Sequence, residues 1–347
     1  MQKNGIASEI YSLTNNEEIR PSANLVISKC SAYDYLNNSN PNLEKLTVKY
    51  YDTFSITSRF TGYISNITIG DFYNDLSSES CGGTAILGGL NSTARQEISK
   101  ESSDNSSGNS SGTNSTEGKS SEGSSSESSD SSNSSSSGDS NSNQSSKEQN
   151  NVVTNPEDLT AGSSSVIGKR GTENIGIAVF DDDKFCGELT ATESICHLMI
   201  SNKVDSCIIT IDNPISENKK MELQIFPSKN SKISTDIKDN KLCISLNIKV
   251  NADVLTLEND IDYESNEVLE KISSATEKYL TDEFHNYLNK VSKEYETDID
   301  HFCIKTLGHF ATIPEWKDFN WKEKFKDAEF DVNVDANVIS TLLITKT

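Results

Sequence analysis

The clearest pattern in this 347-residue chain lies toward its C-terminus. Val268, Leu269, Ile272, Ala275, Tyr279, Leu280, Phe284, Tyr287, Leu288, Val291 and Tyr295 recur at spacings of three and four. That stripe predicts one amphipathic helix over residues 265–296. At ~1.5 Å per residue it would be roughly 48 Å long, lying across a sheet and overhanging it. The sheet is written on both sides of the helix. Ile244, Leu246, Ile248 and Val250 alternate with polar residues inside a strand predicted over 242–254. Phe330, Val332, Val334, Ala336 and Val338 do the same in a closing strand. Such alternation marks a sheet wet on one face. Shorter strands are predicted at 175–180, 184–189, 207–211, 221–226 and 232–237, with Asp181-Asp182-Asp183 as the turn between the first two. Thr190 and Glu193 form a capping box that opens a short helix to about residue 201. Residues 300–308 read as a helical turn or two, and Pro314 opens a short segment holding Trp316 and Trp321.

The N-terminal stretch, 6–90, is patterned more weakly. Residues 23–30 read as a buried strand and 33–36 as a short helix. Thr68 with Asp71 marks a helix start running through Leu76. A glycine-rich exit follows, with Gly82, Gly83, Gly88 and Gly89. Between the two patterned parts the chain turns to Ser, Asn, Gly, Asp and Glu, and residues 102–146 contain no aromatic or aliphatic side chain. Such a stretch cannot offset its own ordering entropy. It is expected to be a disordered tether of about 65 residues spanning roughly 45 Å, long enough for two modules to reposition independently. The expected organisation is α+β: two modules, each a mostly antiparallel sheet packed by helices, at 1–96 and 167–347, joined by a linker at 97–166.

The formal net charge of −22 disfavours nucleic-acid binding, which needs clustered Lys and Arg, and direct adhesion to an anionic membrane. No apolar run reaches the ~18–20 residues of a transmembrane helix, and Met-Gln-Lys-Asn-Gly is no signal-peptide core. As given, the chain is expected to be soluble. Seven cysteines without a CxxC read as free, buried thiols, with one or two disulfides as the alternative.

Candidate chemistry is sparse. Asp331, Asn333, Asp335 and Asn337 superficially resemble a calcium loop but lack its glycine and closing glutamate. They belong on the wet face of a strand. His301, Cys303 and His309 match no familiar zinc spacing, and no hydrolase, phosphate-loop or dinucleotide motif is present. No catalytic, cofactor-binding or metal residue is therefore assigned, and no enzymatic activity is expected. Trp316 and Trp321 have two readings, core packing against Phe319 and Phe325 or an exposed anchor for a partner protein.

Residues 176–190, GIAVFDDDKFCGELT, resemble a signature of the Ger(x)C family, the C subunits of spore germinant receptors. The likeness continues in the family's order: a sheet, a long amphipathic helix, a segment led by Asp300, then Pro314-Glu315-Trp316-Lys317, Trp321 and a last alternating strand. Upstream, Glu18-Ile19-Arg20-Pro21 and residues 26–32 with Leu36 are similar to a segment of the family's middle domain. Lys305 and Cys30 stand where glycines are usual in that pattern. The family's signal peptide, lipidated cysteine and first domain have no counterpart in this reading. The resemblance implies structural signature roles for Arg20, Gly176, Phe180, Lys184, Gly187, Asp300, Trp316 and Trp321. It further implies a lipoprotein on the outer face of the spore inner membrane, anchored by a lipid this chain lacks and assembled with A and B type subunits. The expected role is an accessory scaffold for nutrient-triggered germination that binds no small germinant directly. The alternative is a surface-attached module binding a small solute or peptide.

Overall fold

In the computed structural model, residues 5–39, 47–96, 98, 159–164, 171–256, 258, 262, 263 and 265–341 are described. Met1–Gln96 and Val153–Thr347 together make one compact unit; the serine-rich stretch expected to be a tether lies almost wholly outside the described residues.

The first four-stranded sheet has the order β1-β2-β3-β4, with β1 Val26–Ser28, β2 Gly83–Leu90, β3 Thr172–Asp181 and β4 Lys184–Leu189. β1 runs parallel to β2, and the other two pairings are antiparallel. The pairing of β2 with β3 runs from Gly83 opposite Phe180 to Leu90 opposite Thr172. One sheet therefore draws strands from both sides of residues 97–166, where two separately movable modules were expected. The cause is burial. Every residue of β2 is buried, so its backbone groups need a ladder on both edges. The β3–β4 hairpin alone would be marginal, and β2 completes it.

Gly82 and Gly83, expected in a loop exit, lead into and open this central strand. Cβ atoms at Gly83 and Gly88 would press on Phe72 and on Tyr35 with Val26, so glycine permits the close approach. The strand expected over 23–30 shrinks to the three residues of β1. The β3–β4 turn forms at Asp182-Asp183 as predicted, with Asp182 at φ 49°.

One face of this sheet is covered by α1 (Ala7–Thr14), with helices α2 (Ala32–Asn37), α3 (Thr47–Asp52), α4 (Phe54–Thr61) and α5 (Ile69–Leu76) following in the chain. Ile10 of α1 and Phe72 of α5 pack with Ala85, Leu87 and Phe180. Phe54 of α4 packs with Ile64 and Ile86 in a separate cluster. Helix α6 (Ala191–Ile200) is buried along most of its length and opens on the predicted capping box of Thr190 and Glu193. The Thr68–Asp71 box on α5 forms as well.

The second sheet has the order β5-β6-β7-β8, with β5 Cys207–Asp212, β6 Lys220–Lys238, β7 Lys241–Val254 and β8 Glu329–Thr341. The two strands expected at 221–226 and 232–237 are one continuous β6. The ladder shifts register on either side of Lys229, just after Pro227, so proline sits at an irregularity in the ladder, where its missing N–H is tolerated. The β6–β7 turn places Asp239 and Asn240 at φ 48° and 63°, the pair of positive angles a two-residue hairpin demands. β8 lies parallel to β7, with Asp331, Asn333, Asp335 and Asn337 exposed and Val334, Ala336 and Val338 buried.

The long helix α7, Asn266–Asn289, continues as a π-helical turn, Lys290–Glu294. It lays Ile272, Leu280, Phe284, Tyr287, Leu288 and Val291 on the buried face of this sheet. Each such side chain contributes about 1.5–3 kcal/mol of gross hydrophobic stabilisation. The helix also guards the open edge of β8: Ala336 N–H donates to Glu277 Oε1 (3.1 Å) and Val338 N–H to Ser273 Oγ (3.4 Å). Capped in this way, the edge offers fewer free groups to a stray strand. Short helices α8 (Phe302–Leu307), α9 (Ile313–Phe319) and α10 (Trp321–Lys326) connect α7 to β8.

Candidate functional site

The residues singled out by sequence gather mainly around the β3–β4 hairpin and the end of α7. Gly176 sits at φ 92°, where its N–H donates to the Tyr63 carbonyl (2.7 Å) and a Cβ would collide with the Leu189 carbonyl. Phe180 is buried edge-on between Phe72 and Phe185, at 5.1 and 5.7 Å between ring centroids. Gly187 carries the Tyr295 ring directly on its α-carbon face, and Tyr295 Oη donates to the Glu188 carbonyl (2.8 Å). Trp321 is buried and stacks on Trp316 (5.6 Å) and Phe325 (5.7 Å), while Trp316 is half-buried. Both tryptophans thus belong to a packed aromatic row that Phe319 and Phe310 extend. Arg20 is exposed in the stretch between α1 and β1.

Lys184 lines a notch of about 320 Å³ with Cys186, Tyr295, Lys322 and Lys326. The notch is charged but internally paired. Lys322 bridges Asp181 (2.8 Å) and Asp182 (2.9 Å), and Lys326 bridges Glu296 (2.8 Å) and Glu323 (3.3 Å). Burial pushes the Cys186 thiol up to about 11, so it stays protonated and weakly nucleophilic. A second recess of about 240 Å³ is lined by Tyr50, Phe54, Thr53, Thr57 and Asn174. Asn174 is already engaged there, accepting from Tyr35 Oη (2.6 Å) and donating to Tyr50 Oη (3.3 Å).

The densest polar cluster is buried. Asp300 accepts from His197 Nδ1 (2.8 Å) at one carboxylate oxygen and from Tyr287 Oη (2.7 Å) at the other. His197 comes from α6 and Tyr287 from α7, so the acid joins two helices that pack on each other. Burial, and then the charge of Asp300, hold the Tyr287 phenol well above its usual value, so its hydroxyl remains a donor. The Asp300 side chain is 0% exposed and that of His197 is 4%. A histidine–carboxylate pair this dry does not reach a substrate; it locks the helices in register. Sequence reasoning found Asp300 but missed its partners. Tyr287 was counted in the apolar stripe, and His197 stood alone inside a short helix.

Nearby, both carboxylate oxygens of Asp298 accept backbone N–H groups, from Phe302 (3.1 Å) and Cys303 (2.7 Å). Burial raises this acid to about 7. Cys303 is disulfide-bonded to Cys81, which corrects the expectation of free thiols at those two positions. Cys81, Asp298 and Cys303 offer ligand atoms within 4.8 Å of one another. With the sulfurs bonded together and the carboxylate capping α8, the trio does not present an open metal site. The three residues weighed for zinc go elsewhere: His301 Nε2 lies 3.6 Å from Asp75, and His309 Nε2 lies 2.8 Å from the Thr235 carbonyl.

Two sequence profiles match the chain in the order in which these elements are built. One, described as "Spore germination B3/ GerAC like, C-terminal", matches residues 175–341. The other, "Spore germination protein N-terminal domain", matches residues 1–91. Together they span about three quarters of the chain. The chain belongs to the Ger(x)C family of spore germination proteins. Residues 1–91, within the 1–96 stretch read from sequence as a partial N-terminal or middle domain, align with the family's N-terminal profile. The crystal structure of the GerBC protein shares the fold at a TM-score of 0.58 and 13% identity, covering 98% of this chain and 76% of that one. No match is found among the curated proteins. The family's C-terminal profile begins at Ile175, within β3. It therefore covers most of the hairpin of the first sheet as well as the whole second sheet.

Proposed function

We propose that this Ger(x)C chain is the accessory C-type subunit of a nutrient germinant receptor, working by docking rather than by catalysis. The observation that carries this reading is the pair of family profiles, matched in order on a single compact unit. In this reading it sits at the outer face of the spore inner membrane, held by a lipid anchor, beside A and B type subunits. The site chemistry supports a docking role. The His197–Asp300 pair in the core is dry, and the charged notch has its lysines Lys322 and Lys326 already paired. Exposed apolar side chains such as Ile304, Leu307 and Ile313 are surface a partner subunit would cover.

The test is germination of spores carrying an in-frame deletion of the gene, with a non-nutrient trigger as control. The expected result is loss of the nutrient response with the non-nutrient route intact. Normal germination by both routes, in a strain lacking every paralogue, would overturn the reading.

A further inference from the structure

Residues 75–82 and 297–303 meet along a seam. Gly82 N–H donates to the Asp298 carbonyl (2.9 Å), Asp75 faces His301 at 3.6 Å, and Cys81 is bonded to Cys303 across 222 positions of sequence. The seam fastens the end of α5 and the start of β2 to α8. Beyond this seam α8 packs away from the first sheet, with Phe302 buried against Phe325 and Phe330. The helix has six residues, far below the ~12–15 that an isolated helix needs, and Ile304 and Leu307 point to solvent. Of the other thiols, burial pushes Cys196 well up, Cys207 to about 12 and Cys186 to about 11. These are unreactive thiols, and none of them is paired.

We propose that Cys81 and Cys303 form a redox clasp, closed by a small-molecule disulfide and opened by a small thiol, that sets how firmly α8 is held to the first sheet. In closing, one thiolate attacks the oxidant's S–S bond and expels a thiol. The second thiolate then attacks the mixed disulfide and expels another. Two S–H bonds are lost, one S–S bond forms, and the oxidant leaves as two thiols. Opening is the same exchange in reverse. Both sulfurs are buried, so exchange proceeds through local opening of α8. With the clasp open, the Gly82–Asp298 hydrogen bond and the Asp75–His301 contact remain to hold the seam.

The experiment uses the full chain equilibrated with oxidised glutathione or with dithiothreitol. Maleimide counting in denaturant is expected to find five thiols in the oxidised protein and seven in the reduced one, with peptide mapping joining Cys81 to Cys303. Hydrogen exchange over 302–307 should be at least about tenfold faster after reduction, and the thermal midpoint roughly 5–15 °C lower. A Cys81→Ser/Cys303→Ser variant should ignore the redox state. Seven thiols after oxidation, a bond involving another cysteine, or equal exchange over 302–307 in both states would overturn the proposal, and none of these needs a variant. Stoichiometric zinc uptake by the reduced protein that Asp298→Asn abolishes would replace the clasp with a metal site.

Discussion

The buried Asp300 network can be broken one atom at a time. Tyr287→Phe removes the hydroxyl that donates to Asp300 over 2.7 Å and leaves the ring packing in place. One carboxylate oxygen then faces the core without a donor, at a cost of about 2–3 kcal/mol for a buried acceptor of this kind. Asp300→Leu is harsher, because it removes the acceptor of both donors and leaves His197 Nδ1 and the Tyr287 hydroxyl only each other, 3.3 Å apart, at about 3–5 kcal/mol. The Asp300–Tyr287 hydrogen bond is lost in each single variant but only once in the double. The two costs should therefore fall short of their sum by about 1–2 kcal/mol. Urea unfolding by far-ultraviolet circular dichroism reads each value, provided the slope with denaturant is unchanged. Costs that simply add, or a Tyr287→Phe change under about 0.5 kcal/mol, would show that the network does not bind α6 to α7.

Two further outcomes follow from the geometry of the seam and hairpin. Gly187→Ala drives a methyl into the Tyr295 ring; it should cost about 1–3 kcal/mol, seen as a thermal midpoint several degrees lower, and an unchanged midpoint would contradict the contact. Burial raises Asp298 from 3.8 to about 7, so between those values the folded chain keeps a proton that the unfolded chain has released, and this contribution to stability is lost as pH rises toward 7. Asp298→Asn should flatten the fall in stability between pH 4.5 and 7 by at most about 1.4 kcal/mol per pH unit; Asp75, raised to about 7 by burial as well, contributes equally to both proteins, and identical slopes would refute the assignment.

What the sequence discloses here is what local spacing can carry. The stripe from Val268 to Tyr295, the capping boxes at Thr68 and Thr190 and the Asp182 turn are each written within a few helical turns or a single hairpin, and they appear where the spacing puts them. β2 is illegible for a physical reason. Buried on both faces, Gly83–Leu90 shows no alternation, and its glycines imitate a loop. The Asp300 cluster hides in a similar way, since Tyr287 occupies a stripe position at which an apolar residue would look the same. The Cys81–Cys303 bond joins positions 222 apart, a separation to which no periodicity extends.

The serine-rich stretch changes meaning once β2 and β3 are seen as neighbours. Leu90 lies opposite Thr172, so the roughly eighty residues between them leave and re-enter one sheet at adjacent points. A connection between distant modules would need reach; a connection between paired strand ends needs only to be closed. Lengthening a four-residue turn to that size is about four doublings, each costing about 0.6 kcal/mol, or roughly 2.5 kcal/mol in all. Burial of Ile86 and Leu87 alone, at about 1.5–3 kcal/mol for each side chain, offsets a penalty of that size. The fold can therefore carry a long polar insertion at this point without a second core, and the insertion's length says nothing about how far apart the two sheets can move. What fastens them is the packing of α6 on α7, the Asp300 network and the seam at Cys81.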